Sequence, residues 1–305
     1  AMPSKANISA EWKSLPLPVH PRTQPHLYKT GLKNSSKNRY SDIVPYESTR
    51  VKLDSQEYIN ANYISLPSKK MRFVATQAPM CSSFDTFWKM VWEQDVHVIV
   101  MLTRIVEGRK IKAACYWPSI NRPEFFDNDR IKVSLTSERQ DGYLTIRDIS
   151  ISVGHETRRV VHIQYTEWPD FGVPASTQTI KKLVSLVETY EESPIQASMP
   201  TVVVHCSAGI GRCGTFLAIL AADYLRKQNL PVDIPKIVCS LRKDRMGMVQ
   251  TKEQYAFIYS VVESLESKKK LSRSVDLTRE SYSHPFAPKA FFPISTTTLS
   301  CSQVL

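Results

Sequence analysis

No stretch restricts what this chain can fold into as much as Val202–Phe216, Val-Val-Val-His-Cys-Ser-Ala-Gly-Ile-Gly-Arg-Cys-Gly-Thr-Phe. Val202, Val203 and Val204 are β-branched and read as the end of a buried strand. A short loop with Gly209 and Gly211 follows, and the apolar run Phe216–Leu225 has helical character. Strand, glycine-bearing loop and helix N-terminus together form a cradle for an anion. The successive N–H groups of Ser207, Ala208, Gly209, Ile210 and Gly211 can converge on one point, where the helix dipole adds positive potential. Cys206 lies at the bottom of the cradle. A free thiol has a pKa near ~8.5, but helix N-termini and cations bring it to roughly 3.5–7.5. Arg212 offers a planar fork of donors that suits two phosphate oxygens at once. A thiolate beneath a bound phosphate is a phosphoryl-transfer site.

Spacing alone does not make such a site. Cys239 is also followed by an arginine six positions on, Arg245, but the intervening Ser-Leu-Arg-Lys-Asp has no glycine and reads as helix. No cradle can close there, and Cys239 is expected to be structural.

The 305 residues suffice for one or two domains, and a hydrophobic fraction of 42% is ordinary for a globular chain. No apolar run approaches the roughly 18 residues that span a bilayer, and the polar, Pro-rich N-terminus does not read as a secretory signal. Six cysteines without a Cys-x-x-Cys pair, and 7 histidines without zinc spacing, imply no metal and no cofactor. The reduced thiol that Cys206 chemistry needs points to a reducing, cytoplasmic setting. The net charge of +11 is concentrated at the ends: residues 11–52 carry eight Lys/Arg against three acids and 268–289 carry six against two, whereas 53–267 balance at 25 against 24. A near-neutral middle argues against nucleic acid as a partner. The basic ends allow acidic peptide substrates or peripheral contact with anionic membrane surfaces, and equally read as solvated lysines.

Along the chain, residues 1–30 hold Pro16, Pro18, Pro21 and Pro25 and read as an arm with little structure beyond one short helix. Strands are expected at Tyr58–Ile64, Phe73–Gln77, Val96–Leu102, Ala113–Trp117, Arg130–Thr136, Tyr143–Ile151 and Arg159–Tyr165. Phe84, Phe87, Trp88, Val91 and Trp92 recur at helical spacing, which predicts a helix over Ser83–Glu93 capped by Ser82 or Ser83. Trp168–Pro174 is a loop. Ile180, Leu183, Val184 and Val187 share a helix face behind Ser176 or Thr177, and Ile234–Lys243 reads as another helix. Thr251–Gln254 has capping-box form ahead of Tyr255, Ile258, Tyr259 and Val262. From Lys268 the chain becomes a basic, Ser/Thr-rich tail. The organisation expected is an arm over 1–30, one α/β domain with a mixed sheet over 31–267, and a flexible tail over 268–305.

His205–Arg212, Trp168-Pro169-Asp170-Phe171-Gly172-Val173-Pro174, Lys37-Asn38-Arg39-Tyr40 and Gln250-Thr251 together resemble the cysteine-dependent, tyrosine-specific protein tyrosine phosphatases, of the non-receptor type, with matching segments from about Asn38 to Glu263. The resemblance implies a highly twisted mixed β-sheet flanked by helices, and phosphotyrosine-containing proteins as substrates. It assigns attack on phosphorus to Cys206, the equatorial oxygens to Arg212 and the loop amides, and proton donation to the leaving phenolate to Asp170. It gives the positioning of the second-step water to Gln250 with help from Gln254, although the capping-box place of Gln254 accounts for that residue without catalysis. Tyr40 would wall a deep cleft against the substrate ring, beyond the reach of phosphoserine. Asp42 would bond the substrate backbone, Phe171 would close over the ring, and Trp168 would hinge a mobile loop. Glu107 is expected to pair with Arg212, Lys112 to lie near Asp170, and His205 to orient the loop. Gly247, near Arg242 and Arg245, stands where the family sometimes opens a second phosphate pocket.

One residue departs from the family pattern. Cys213 follows the loop arginine where the family has Ser or Thr, whose hydroxyl donates to the nucleophile's sulfur. A thiol is a weaker donor, which predicts slower hydrolysis of the phosphoenzyme, and a thiol there could also trap an oxidised Cys206 as a disulfide. Two rival readings are a low-turnover phosphotyrosine-binding module and a lipid or dual-specificity phosphatase. Intact Cys206, Arg212 and Asp170 weigh against the first, and Lys37–Tyr40 against the second.

Overall fold

The computed structural model describes residues 4–68, 70–169, 172–190 and 199–275, the side chains of residue 5 and residues 266–275 excepted. Its strands are β1 (Ala61–Ile64), β2 (Arg72–Thr76), β3 (Val96–Met101), β4 (Val106–Glu107), β5 (Lys110–Ile111), β6 (Glu124–Phe126), β7 (Ile131–Asp141), β8 (Leu144–Val153), β9 (Glu156–Tyr165) and β10 (Thr201–His205). Its helices are α1 (Lys5–Ser14), α2 (Lys29–Lys33), α3 (Phe84–Glu93), α4 (Gln178–Thr189), α5 (Gly211–Lys227), α6 (Ile234–Asp244) and α7 (Lys252–Val275).

A strand covered on both faces needs a continuous apolar run rather than alternation, and β10 has one. Val202, Val203 and Val204 are fully buried. Val202 and Val204 pack with α5 and α7, whereas Val203 joins Phe87, Trp88 and Tyr116 on the opposite face. Eight strands form one mixed sheet in the order β1-β2-β10-β3-β9-β8-β7-β6. Its middle, β2-β10-β3-β9, is parallel, and its flanks are antiparallel. β10 therefore lies inside the parallel part, and its C-terminal end, His205, opens onto the N-terminus of α5. Ligand sites in such sheets lie at this end of the strands. α5 is buried along most of its length, which its apolar residues on every side require.

Several local expectations change. Ala113–Trp117 is irregular rather than a strand: Tyr116 and Trp117 are both buried although adjacent, which the two-residue alternation of a strand does not allow. β1 is shorter than Tyr58–Ile64. Ser83 precedes α3 without capping it, because its hydroxyl bonds the backbone of Met80 instead. Thr177 makes no cap bond, and the Ser176 hydroxyl accepts from the Gln178 N–H.

The loosely structured arm expected for 1–30 needs correcting most. Ser4 caps α1, Ile8 and Leu15 join the main core, and Tyr28 is fully buried against Tyr46. At the other end, α7 runs past Lys268 to Val275. The remainder of the expected tail, 276–305, lies outside the described residues.

Candidate active site

The backbone of the cradle is held from outside. Gly209 has φ +74°, and a Cβ there would stand 2.2 Å from the Thr76 carbonyl oxygen, so both conformation and contact demand glycine. Arg245 is fully buried and donates to the carbonyls of Gly209 (2.9 Å) and Ala208 (3.1 Å), while Asn62 and Asn60 accept its other donors at 2.8 Å. With those carbonyls drawn outward, the Gly209 N–H faces inward onto the Cys206 sulfur. Burial lowers the pKa of Arg245 to about 10. As expected, no cradle forms between Cys239 and Arg245, because α6 occupies that stretch; unexpectedly, Arg245 braces the cradle of Cys206. Asn62 in β1 and Asn60 just before it, two positions apart and so spaced to point the same way, were the available signal.

Cys206 is 5% exposed and accepts from the Gly209 N–H at 3.3 Å. A bond donated by the Cys213 thiol brings the Cys206 thiol down to about 5, against its burial, with further help from the charge of Arg212 and the N–H groups of Cys213 and Gly209. Burial, then the bond and charge of Cys206, push the Cys213 thiol well up. At neutral pH the pair is one thiolate and one thiol, with the thiol as donor.

Glu107 holds Arg212 bidentately, Nη1 to Oε1 and Nη2 to Oε2, both at 2.7 Å. Burial would raise the Glu107 carboxyl, but the hydrogen bond and charge of Arg212, with the Arg104 N–H and the Thr103 hydroxyl, hold it below its ordinary value. Arg212 also donates to the carbonyls of Leu102 and Pro169, each at 3.0 Å. The second bond ties the guanidinium to the Trp168–Pro174 loop. Trp168 is almost fully buried, rests on Tyr165 and Phe257, and donates to the Gly172 carbonyl at 3.3 Å. Asp170 and Phe171 lie outside the described residues.

Tyr40 reaches the cradle from the opposite wall. Arg39 donates to the carbonyls of Ala78 and Pro79, and its N–H bonds Gln77, which fixes the backbone that presents Tyr40. The Ser207 hydroxyl donates to the Lys112 carbonyl at 2.8 Å, so its oxygen accepts from the Tyr40 hydroxyl at 2.9 Å. Lys112 thereby supports the cradle through its backbone. Its expected neighbour Asp170 is outside the described residues.

Gln250 and Gln254 both reach Gly211: a Cβ there would meet Gln250 Oε1 at 3.0 Å and the Gln254 amide at 3.1 Å. Gln254 also serves the helix start, its oxygen accepting from the Gln250 N–H at 2.9 Å. Asp42 and Gln250 line a cavity of about 500 Å³ with Trp12, Met246, Gly247 and Arg242. Arg242 in that cavity donates to the carbonyls of Met248, Pro16 and Val249 and lies over the Trp12 ring. Arg245 is committed to the cradle, which leaves Arg242 as the arginine that lines the cavity beside Gly247. His205 is fully buried and faces the Cys206 carbonyl with Nδ1 at 3.1 Å. Among the described residues no group of three or more His, Cys, Asp or Glu is placed to hold a metal ion, and no helix is long and apolar enough to cross a membrane.

A family model described as "Protein-tyrosine phosphatase" matches residues 34–264. Tyrosine-protein phosphatase non-receptor type 2 of Rattus norvegicus is 37% identical over 263 residues, covering 84% of this chain and 62% of that protein. Tyrosine-protein phosphatase non-receptor type 20 of Mus musculus is 39% identical over 254 residues, 81% of this chain and 58% of the relative. Receptor-type tyrosine-protein phosphatase eta of Homo sapiens is 39% identical over 266 residues, 84% of this chain and 19% of that much longer protein. The chain thus spans about three fifths of the non-receptor relatives it matches.

Proposed function

Because this chain belongs to the protein-tyrosine phosphatase family, we propose that it hydrolyses phosphotyrosyl proteins through a cysteinyl-phosphate intermediate. The observation that carries this reading is a buried Cys206 sulfur accepting from the Gly209 N–H at 3.3 Å, at the floor of a loop braced by Arg245 and beside an arginine held bidentately by Glu107. The Cys206 sulfur attacks phosphorus, the P–O bond to the phenol breaks, and Asp170 gives its proton to the departing oxygen. In the second step the Asp170 carboxylate takes a proton from a water positioned by Gln250. That water attacks phosphorus, and the S–P bond breaks to return the thiolate, which accepts from the Cys213 thiol. Arg212 and the loop N–H groups hold the three equatorial oxygens throughout. Tyr40 makes the cleft deep enough to select the aryl ester, with Asp42 on the substrate backbone and Phe171 over the ring. The catalytic unit is 31–267, and a reducing, cytoplasmic compartment suits its thiol.

The second reading, a phosphotyrosine-binding module of low turnover, draws on the Cys213 thiol standing where a hydroxyl would donate more strongly. An aryl phosphate assay separates the two. Sustained hydrolysis that vanishes in Cys206→Ser, with phosphotyrosyl peptides cleaved and phosphothreonyl peptides left intact, is the expected result. Asp170→Ala should lower kcat by about 10²- to 10⁴-fold and retain phosphotyrosyl proteins. An intact, folded chain that binds such peptides without releasing phosphate would establish the binding module instead.

A further inference from the structure

Behind the nucleophile, a line of buried side chains has its hydrogen-bond directions set from the far end. Arg147 on β8 is 7% exposed. Its Nε donates to Glu138 at 2.6 Å, its Nη1 donates to Gln164 Oε1 at 3.0 Å, and the same Nη1 lies 3.3 Å from His162 Nδ1. The guanidinium also lies over the Trp117 ring, 4.2 Å from its centre. A guanidinium has donors only, so His162 Nδ1 must accept. The proton of a neutral His162 therefore sits on Nε2, 2.8 Å from the Tyr116 hydroxyl. Once that hydroxyl accepts from His162, its single hydrogen is left for His205 Nε2 at 2.7 Å. His205, accepting at Nε2, carries its proton on Nδ1 and donates it to the Cys206 carbonyl at 3.1 Å.

We infer that Arg147 is a positioning residue of the active site: it fixes the tautomer of His162, through Tyr116 that of His205, and so aims the Nδ1 proton of His205 at the Cys206 carbonyl. Tyr116, His162 and His205 are fully buried, so no water competes for these directions. The reverse orientation would set a lone pair of His205 Nδ1 against the Cys206 carbonyl oxygen and an Nδ1–H of His162 against the Arg147 guanidinium, which has only donors to offer. With the line in this direction His205 stays neutral, and the carbonyl dipole nearest the thiolate is compensated by a donor. Arg39 adds its charge near His205, and Arg212, Cys213 and Arg245 face Cys206. None of these contributes a donor or acceptor to the line itself.

The inference rests on Cys206 being the reactive thiol, and its test needs no phosphate ester, so a failure of the phosphatase reading would be seen separately. In the unmodified chain, long-range nitrogen–proton NMR correlations of the imidazoles at neutral pH should show His162 as the Nε2–H tautomer and His205 as the Nδ1–H tautomer. Either ring in the opposite tautomer, or cationic, overturns the inference without any variant having to fold. Arg147→Met should leave both rings averaging between tautomers. Tyr116→Phe keeps the Arg147 charge and should release His205 alone. In both, the pH midpoint for alkylation of Cys206 by iodoacetate, read on the Cys206 peptide by mass, should rise by up to about one unit, the worth of one hydrogen bond. An unchanged His205 signature in either folded variant, or a midpoint that stays or falls, overturns it.

Discussion

On the proposed mechanism, Cys213 would govern how fast the Cys206 sulfur leaves as well as attacks. Its thiol is the largest single influence drawing the Cys206 pKa down to about 5. A thiol nevertheless donates less strongly than a hydroxyl, and in the proposed cycle the step that would suffer is S–P cleavage, where negative charge returns to the sulfur. Rapid mixing with an aryl phosphate should give a burst of phenol followed by slower turnover, and Cys213→Thr should remove the burst. A linear time course from the unmodified chain would refute this account. Cys213→Ala removes the donor altogether, and the alkylation midpoint of Cys206 should rise by roughly one unit.

At the scale of elements, α1 joins the ends of the chain. Glu11 accepts from the hydroxyls of Tyr255 and Tyr259 on α7, and Trp12 packs on Tyr255 at 5.6 Å between ring centres and beneath Arg242. Trp12→Ala should lower stability by about 2 kcal/mol, less than for a fully buried large aromatic because the ring is only half-buried. A urea midpoint equal to that of the unmodified chain would show that α1 adds nothing. The sequence alone did not reveal this docking, because its partners lie more than two hundred residues away and the prolines that follow suggest a loose arm. The signal present was Ile8, Trp12 and Leu15 at helical spacing. By contrast β10, its loop and α5 were legible because strand, glycine turn and helix are written in consecutive residues, and Gly209 carries the constraint in its own backbone. Arg245, Asn60, Asn62 and Tyr116 were not, since their roles exist only after β1, β2 and α6 have met around the loop. Ala113–Trp117 misled for a related reason: aromatic content resembles strand propensity, yet Tyr116 is there to reach two histidines.

Over the whole molecule, the buried imidazoles make stability depend on pH. Burial lowers His205 to about 4, with the nearby Arg39 charge adding to it and the Cys206 carbonyl opposing. Burial and the charges of Arg147 and His205 lower His162 well below its ordinary value. Between about pH 4 and pH 6.5 the unfolded chain therefore binds more protons at these positions than the folded chain, and stability rises with pH. Each histidine contributes a slope of about 1.4 kcal/mol per pH unit inside that window. Cys206 acts in the same direction from about 5 up to its ordinary value, because there the unfolded thiol keeps the proton that the folded thiolate has lost. Glu124, Glu188 and Asp244, raised chiefly by burial, act oppositely just above the ordinary carboxylate range. The informative quantity is therefore the difference between two chains rather than either slope. Urea unfolding at pH 6, 5.5 and 5 should show His162→Gln losing less stability per pH unit than the unmodified chain, by about 1.2 kcal/mol per unit. Equal slopes would mean that His162 is protonated in the folded protein. The line from Arg147 would then have to run with Tyr116 and His205 in some other arrangement.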